Sequence, residues 1–325
     1  MRRARGPAAA ALLAGCGGPQ APLDAWGPQA GRIAELSVLL IAGGGAILSL
    51  VVLCIALAVW APPAVRRRLG GLGFVAGMGL AFPAITLSAL LVHTLGASRA
   101  LALFGAGAEP LVVEITGRQY WWEVRYPGTP GAVTANELRL PRGREVELVL
   151  TSGDVIHSVW IPNLHGKLDM IPGRANRQRL RADRTGELRG QCTEFCGRQH
   201  ALMAFAVVVE EPEAFDAWLA RQAAPVPAPA TAAEEAGMRV FGAAGCGACH
   251  AVRGTPWEAR LAPDLSRVGS RRTLAAGALP NTLGHLAGWI AAPQDIKPGN
   301  AMPAYARALS GEEILALATW LDGLR

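Results

Sequence analysis

Two apolar stretches constrain this chain more than anything else in it. Leu36 to Trp60 and Leu72 to Leu95 contain no Asp, Glu, Lys or Arg. Each is long enough to cross a bilayer, which takes about 20 residues of helix. Between them lie Pro62-Pro63 and the cluster Arg66-Arg67-Arg68. Loops rich in arginine stay in the cytoplasm, so the two runs predict a transmembrane hairpin with both ends outside and everything after about residue 97 extracytoplasmic. Pro83 is expected to kink the second helix. A reading as two core helices leaves the arginine cluster between them unexplained.

The net charge of +6 invites a nucleic-acid partner, but its location excludes one. Residues 1 to 108 hold eight arginines against Asp24 and Glu35, an excess of six that accounts for the whole imbalance. The basicity therefore belongs to targeting and topology. Arg2, Arg3 and Arg5 precede an Ala-rich apolar run that ends Leu13-Ala14-Gly15-Cys16, which reads as a secretory signal. This ending resembles a bacterial lipobox, in which cleavage leaves Cys16 as a lipid-modified first residue. An ordinary signal peptide with a chance cysteine is the alternative.

From Glu109 to about Glu211 the texture is β. Leu111 to Ile115, Trp121 to Tyr126, Glu145 to Thr151 and Ala204 to Glu210 are short apolar runs, separated by turn signals such as Pro127-Gly128 and Pro172-Gly173. Val146, Leu148 and Leu150 alternate with Glu145 and Glu147, as in a half-buried strand. Many short strands over some hundred residues predict a sandwich or barrel, with Pro212 to Arg221 as a closing helix. Ala223 to Ala230 alternates alanine and valine with proline and predicts an extended, semi-rigid linker. The remainder is helical. Thr231 with Glu234 and Ser310 with Glu313 fit capping boxes, and Ile314, Leu317, Ala318 and Leu321 share one helix face.

Two motifs carry chemistry. Within residues 192 to 203 fall Cys192, Cys196, His200 and Met203, and His157 stands upstream beside a strand. Thiolate, imidazole and thioether together are a copper electron-transfer ligand set. Structural zinc more often shows paired C-x2-C spacing, and a disulfide or two packing cysteines is the plain alternative. The second motif, Cys246-Gly247-Ala248-Cys249-His250, is C-x-x-C-H, the pattern of covalent c-type haem attachment. His250 is placed to ligate the iron and Met302 is the candidate second ligand. Redox and zinc sites also use C-x-x-C. Met238 is expected in the core, His285 in a structural or surface position, and His165 facing solvent.

These residues carry two resemblances. Residues 234 to 325 resemble class I cytochromes c, with Ala262-Pro263-Asp264-Leu265 in the place of that family's Gly-Pro-Asn-Leu-like loop. The middle domain resembles subunit II of haem-copper oxidases through His157-Ser158, Lys167-Leu168-Asp169-Met170-Ile171-Pro172-Gly173-Arg174 and Gln191 to His200. That resemblance implies a cupredoxin-like Greek-key sandwich or barrel. It implies a dinuclear CuA centre on His157, Cys192, Cys196, His200, Met203 and the backbone carbonyl of Glu194, whose carboxylate would reach a magnesium ion shared with subunit I. Gly117-Arg118-Gln119-Tyr120-Trp121-Trp122 is similar to the family's aromatic patch where electrons enter, with Tyr120 standing where a tryptophan is usual; a buried strand face is the alternative. Val75 to Leu80 offers no carboxylate at the place where many members have one for proton uptake.

The expected organisation is a signal peptide (1–15), an outer segment (16–35), a transmembrane α-hairpin (36–96), the copper domain (109–221), a linker (222–233) and an all-α cytochrome c domain (234–325). In this order the parts resemble subunit II of a caa-type oxidase of the bacterial cytoplasmic membrane. The resemblance implies electrons arriving from an external cytochrome c or bc-type complex, and a complex with subunit I, other oxidase subunits and membrane lipid. Oxygen reduction and proton translocation would occur in subunit I. The rival readings are a membrane-anchored copper and haem electron-transfer lipoprotein, or a copper chaperone, outside any oxidase. A quinol-oxidase subunit II would lack the copper ligands.

Overall fold

The computed structural model describes residues 17 to 102 and 109 to 325; Cys16 and the signal segment lie outside them. Helix α1 (Pro28–Trp60) is followed by α2 (Pro63–Leu69), α3 (Leu72–Ala76), a π-helical turn (Gly77–Ala81) and α4 (Phe82–Ala102). Two helical stretches, Pro28–Trp60 and Leu72–Arg99, are long and apolar enough to cross a membrane. In α2 a proline sits in the first turn and Arg66, Arg67 and Arg68 in the last, the arrangement a helix dipole favours. Pro83, expected to kink the second helix, stands just past a π-helical turn. Proline has no N–H to return to the preceding turn, and the helix widens into the π turn just ahead of it.

The middle domain is a two-sheet sandwich of cupredoxin type. One sheet holds β3 (Val133–Ala135), β2 (Trp121–Arg125), β1 (Leu111–Arg118), β5 (Glu145–Ser152) and β8 (Asn176–Arg181), in that order. The other holds β4 (Glu137–Pro141), β10 (Ala204–Glu210), β9 (Gly186–Cys192), β6 (His157–Trp160) and β7 (Leu168–Met170). Pairs β1–β5 and β4–β10 are parallel; the others are antiparallel. Val113, Ile115, Leu148, Leu150, Leu138 and Val207 turn inward to one core with Trp122 and Phe205. Burying each such large side chain contributes about 1.5–3 kcal/mol. Helix α5 (Pro212–Ala223) closes the domain by setting Phe215 and Trp218 against Tyr126.

Residues 17 to 30 pack on this sandwich, a contact that no motif or periodicity announces. Trp26 N donates to Asn163 O at 2.8 Å and Asn163 Nδ2 returns a bond to Asp24 O at 2.9 Å. Asp24 also pairs with Arg184 at 2.8 Å.

The C-terminal domain packs α6 (Ala232–Ala243) across α9 (Gly311–Gly323), with α7 (Leu283–Ala291), α8 (Pro293–Ile296) and a short hairpin, β11 (Thr273–Leu274) with β12 (Leu279–Pro280). Both capping boxes are formed, at Thr231 with Glu234 and Ser310 with Glu313. Ile314, Leu317, Ala318 and Leu321 are buried as their spacing predicts. Gly237 lets the helices cross closely: a Cβ there would stand 2.1 Å from Ala316 O. Met238 is half-buried against this core. Residues 225–230 form neither helix nor strand, and the start of the linker is tied down. Arg267 donates to the carbonyls of Arg221, Ala224 and Pro225 at 3.0–3.1 Å.

Candidate metal and haem sites

Three strand ends meet at the first site. β9 ends on Cys192, β6 begins on His157 beside it in the same sheet, and β10 begins one residue after Met203. The connection from Thr193 to Met203 is thereby anchored at both ends. The Cys192 and Cys196 sulfurs lie 3.8 Å apart and the cysteines are free. His157 Nδ1 is 3.9 Å from Cys192 Sγ, and Glu194 O is 3.3 Å from the same sulfur. His200 Nδ1 is 3.7 Å and Met203 Sδ 3.8 Å from Cys196 Sγ. The sequence-selected residues thus converge, each sulfur with its own imidazole.

Electrostatics prepare the site for a cation. Hydrogen bonding from Cys196, helped by His157 and the backbone, brings the Cys192 thiol down to about 3 against the opposing effect of burial. The Cys196 thiol, bonded to that thiolate and buried, moves up. One proton is shared by the pair, and metal binding would displace it. The buried soft donor set fits copper of the CuA type.

Asp154 was not picked out from the sequence. Its Oδ1 lies 2.8 Å from His157 Nε2 and its Oδ2 accepts the Gln119 amide at 2.6 Å. A carboxylate on the outer imidazole nitrogen fixes the ring with Nδ1 facing the sulfurs, a recurring support for metal-binding histidines. Burial opposes a charge on His157, but bonds to Cys192 and Asp154 outweigh it and raise its pKa. Gly117 completes the fit, because a Cβ there would come within 2.8 Å of the His157 ring.

The aromatic patch divides. Trp122 is fully buried, 5.2 Å from Phe205 and 6.0 Å from the His157 ring, so it is core. Tyr120 lies on the 192–203 loop, its hydroxyl accepting from Arg198 N at 3.1 Å. Trp121 is half-buried and lines a cleft of about 480 Å³ shared with Arg253, Trp257 and Asp264 of the C-terminal domain. Glu194 is half-buried. His165, expected to face solvent, is half-buried, and Gln178 Nε2 donates to its Nδ1 at 3.0 Å. Burial lowers its pKa.

In the C-terminal domain Cys246 to Ala248 form a 3-10 turn that leads to Cys249 and His250. His250 Nδ1 donates to Pro263 O at 2.7 Å, leaving Nε2 as the free lone pair. Burial lowers its pKa, so the imidazole is neutral, the form that binds iron. Met302 and Cys246 both border the same core. Asn300 Oδ1 accepts Met302 N at 2.7 Å, and Gln294 Nε2 donates to Met302 O at 2.8 Å, fixing that residue's backbone. Two thiols, a neutral histidine and a held methionine fit a haem. His285 is exposed in the first turn of α7, where the N-cap Thr282 accepts its backbone N–H at 3.3 Å.

Fold and sites define a thiolate-rich cupredoxin metal domain joined to a c-type cytochrome domain. Residues 131–211 match the family model "Cytochrome C oxidase subunit II, periplasmic domain", and residues 234–325 match "Cytochrome c". Cytochrome c oxidase subunit 2 of Alkalihalophilus pseudofirmus is 37% identical over 219 residues, which are 67% of this chain and 63% of that protein. The Bacillus subtilis subunit 2 is 34% identical over 226 residues, again 67% and 63%. The chain therefore spans somewhat under two thirds of these relatives. The periplasmic domain of subunit II of cytochrome oxidase from Bradyrhizobium japonicum is 31% identical, covering 34% of this chain and 91% of that one with a TM-score of 0.32; the fold rests on the strands described above and not on that superposition. The chain thus joins a segment similar to the periplasmic domain of oxidase subunit II to one similar to cytochrome c.

Proposed function

We propose that the chain is the electron-accepting subunit II of a membrane-bound bacterial cytochrome c oxidase. It would take electrons from an external cytochrome c or bc-type complex at a haem carried covalently by Cys246 and Cys249. It would then pass them by the copper centre to subunit I, where oxygen is reduced to water and protons are translocated. The observation that carries this reading is the buried thiol pair, 3.8 Å apart, with an imidazole nitrogen within 3.9 Å of each sulfur. Copper held by both thiolates would supply one-electron transfer, and ligands fixed at strand ends would keep the accompanying geometry change small.

In this reading His157, Cys192, Cys196, His200, Met203 and the Glu194 carbonyl hold two coppers, and Glu194's carboxylate binds magnesium with subunit I. His250 and Met302 ligate the haem iron, a pairing that raises its potential. Tyr120 and Trp121 lie where electrons enter the copper domain. The two apolar helices anchor the chain in the cytoplasmic membrane with lipid on Cys16, leaving both redox domains outside. Exposed Val155, Ile156, Phe195 and Leu202 in the ligand loops suit contact with another subunit.

Cys246→Ala with Cys249→Ala should abolish covalent haem staining of the purified chain while the copper signal stays; persistent staining contradicts the haem assignment. Purification from membranes should bring a haem-copper subunit I along. A chain that carries both cofactors and comes alone is a stand-alone electron carrier.

A further inference from the structure

The two redox domains touch through a seam built from the residues that flank both sites. Lys297, only 2% exposed, lies between α8 and Met302. Its Nζ donates to Tyr120 O at 2.7 Å, in the copper domain, and to Ala275 O at 3.1 Å, in its own domain. Burial pulls its pKa down to about 7. A lysine is seldom buried without a partner that needs it there. One residue further on, Pro298 O accepts Gln199 Nε2 at 2.6 Å, and Gln199 precedes His200.

A second strand of contact runs beside this one. Ala204 N, the residue after Met203, donates to Ala276 O at 2.9 Å, so the β11–β12 turn holds the first residue of β10. That turn is strained: Ala275 and Ala276 have φ of 52° and 59°, a region that residues with a Cβ rarely adopt. Strain of this kind persists where surrounding contacts over-determine it. Here the contacts are the two carbonyls presented to Lys297 and Ala204. At the margin, Arg272 N donates to Glu137 Oε2 at 2.7 Å and its side chain pairs with Glu187 at 3.0 Å.

We propose that the haem domain is permanently docked on the copper loop, with Lys297 and Gln199 as positioning residues that join the Met302 loop to the His200 loop. The inference rests on the electron-transfer reading above. The bonded route is short. It runs from Met302 along four residues to Pro298, across one hydrogen bond to Gln199, and on to His200. The dock covers the Tyr120 side of the copper loop, so external donors deliver to the haem and not to copper.

The test is hydrogen exchange on the full-length chain in detergent. The wild type should protect the Ala204 amide and residues 272–281 well beyond the linker at 225–230. Lys297→Met, and separately Gln199→Leu, should speed exchange there at least tenfold while β5 and α9 stay unchanged. Flash-initiated haem-to-copper transfer should be independent of solvent viscosity in the wild type and should slow at least tenfold in both variants, with haem spectrum and copper EPR unaltered. Seam exchange as fast as the linker's, or variants that change neither readout, overturns the dock. Absence of the haem or copper signals from the wild type would instead contradict the underlying functional reading, leaving the exchange result to judge the dock alone.

Discussion

Asp154 shows how much of the copper site depends on a residue that binds no metal. It sets the His157 ring through Nε2 and holds the Gln119 amide with its other oxygen. Asp154→Asn keeps the shape but weakens the bond that orients the imidazole. Copper affinity should fall about 10–100-fold, as for other supports of metal-binding histidines; competition with a copper chelator measures it, and unchanged affinity would show that packing alone orients the ring. His165 makes a second residue-scale prediction. Its pKa is lowered by burial, and protonation would place two donors, its own Nδ1–H and the Gln178 amide, face to face. Below the unfolded value of about 6.5 the unfolded chain takes up a proton that the folded chain refuses. Stability contributed by the neutral ring is therefore complete above that pH and is lost as pH falls from it toward the folded pKa. His165→Gln should flatten this part of the profile in denaturant titrations of the copper-loaded protein; an unchanged slope would assign it to other groups.

At the scale of elements, the crossing of α6 and α9 depends on one missing side chain. Gly237→Ala would drive a Cβ into Ala316 O and toward the Trp320 Cβ at 2.7 Å. Overpacking of this kind costs about 1–3 kcal/mol, more than the helix gains from alanine. Thermal unfolding followed by haem absorbance should show a lower Tm, and an unchanged one would mean that the helices can separate freely. The capping boxes and the buried face of α9 were legible in the sequence because they are local patterns. Strands β8 and β9 were not. Asn176 to Arg181 is largely polar, since β8 is an edge strand whose Arg177 and Arg179 pair with the buried Glu147 of its neighbour. Gly186 to Cys192 lies inside its sheet but alternates Glu187, Arg189 and Gln191 with the buried Leu188, Gly190 and Cys192. The packing of residues 17 to 30 was hidden for a related reason, as it depends on backbone bonds to Asn163 that no periodicity encodes.

Across the whole molecule, the candidate ligands were legible because their spacing is dense and chemically specific, and the structure brings His157 to the 192–203 loop across neighbouring strands. What the sequence did not disclose is the relation between the copper and haem domains. A Pro-rich linker predicts separation, yet Arg267 ties its beginning to the haem domain and Lys297 bridges to Tyr120. These contacts join residues far apart in the chain and follow no motif.

The central claim is a dinuclear thiolate-bridged copper centre fed by the haem of the same chain. EPR of the full-length, copper- and haem-loaded protein tests it most directly. The account predicts a mixed-valence dinuclear copper signal that disappears when a one-electron donor reduces the protein through the haem. The signal should be absent in Cys196→Ser, whose haem spectrum remains intact. A mononuclear copper signal, or a dinuclear one that survives Cys196→Ser, would contradict it.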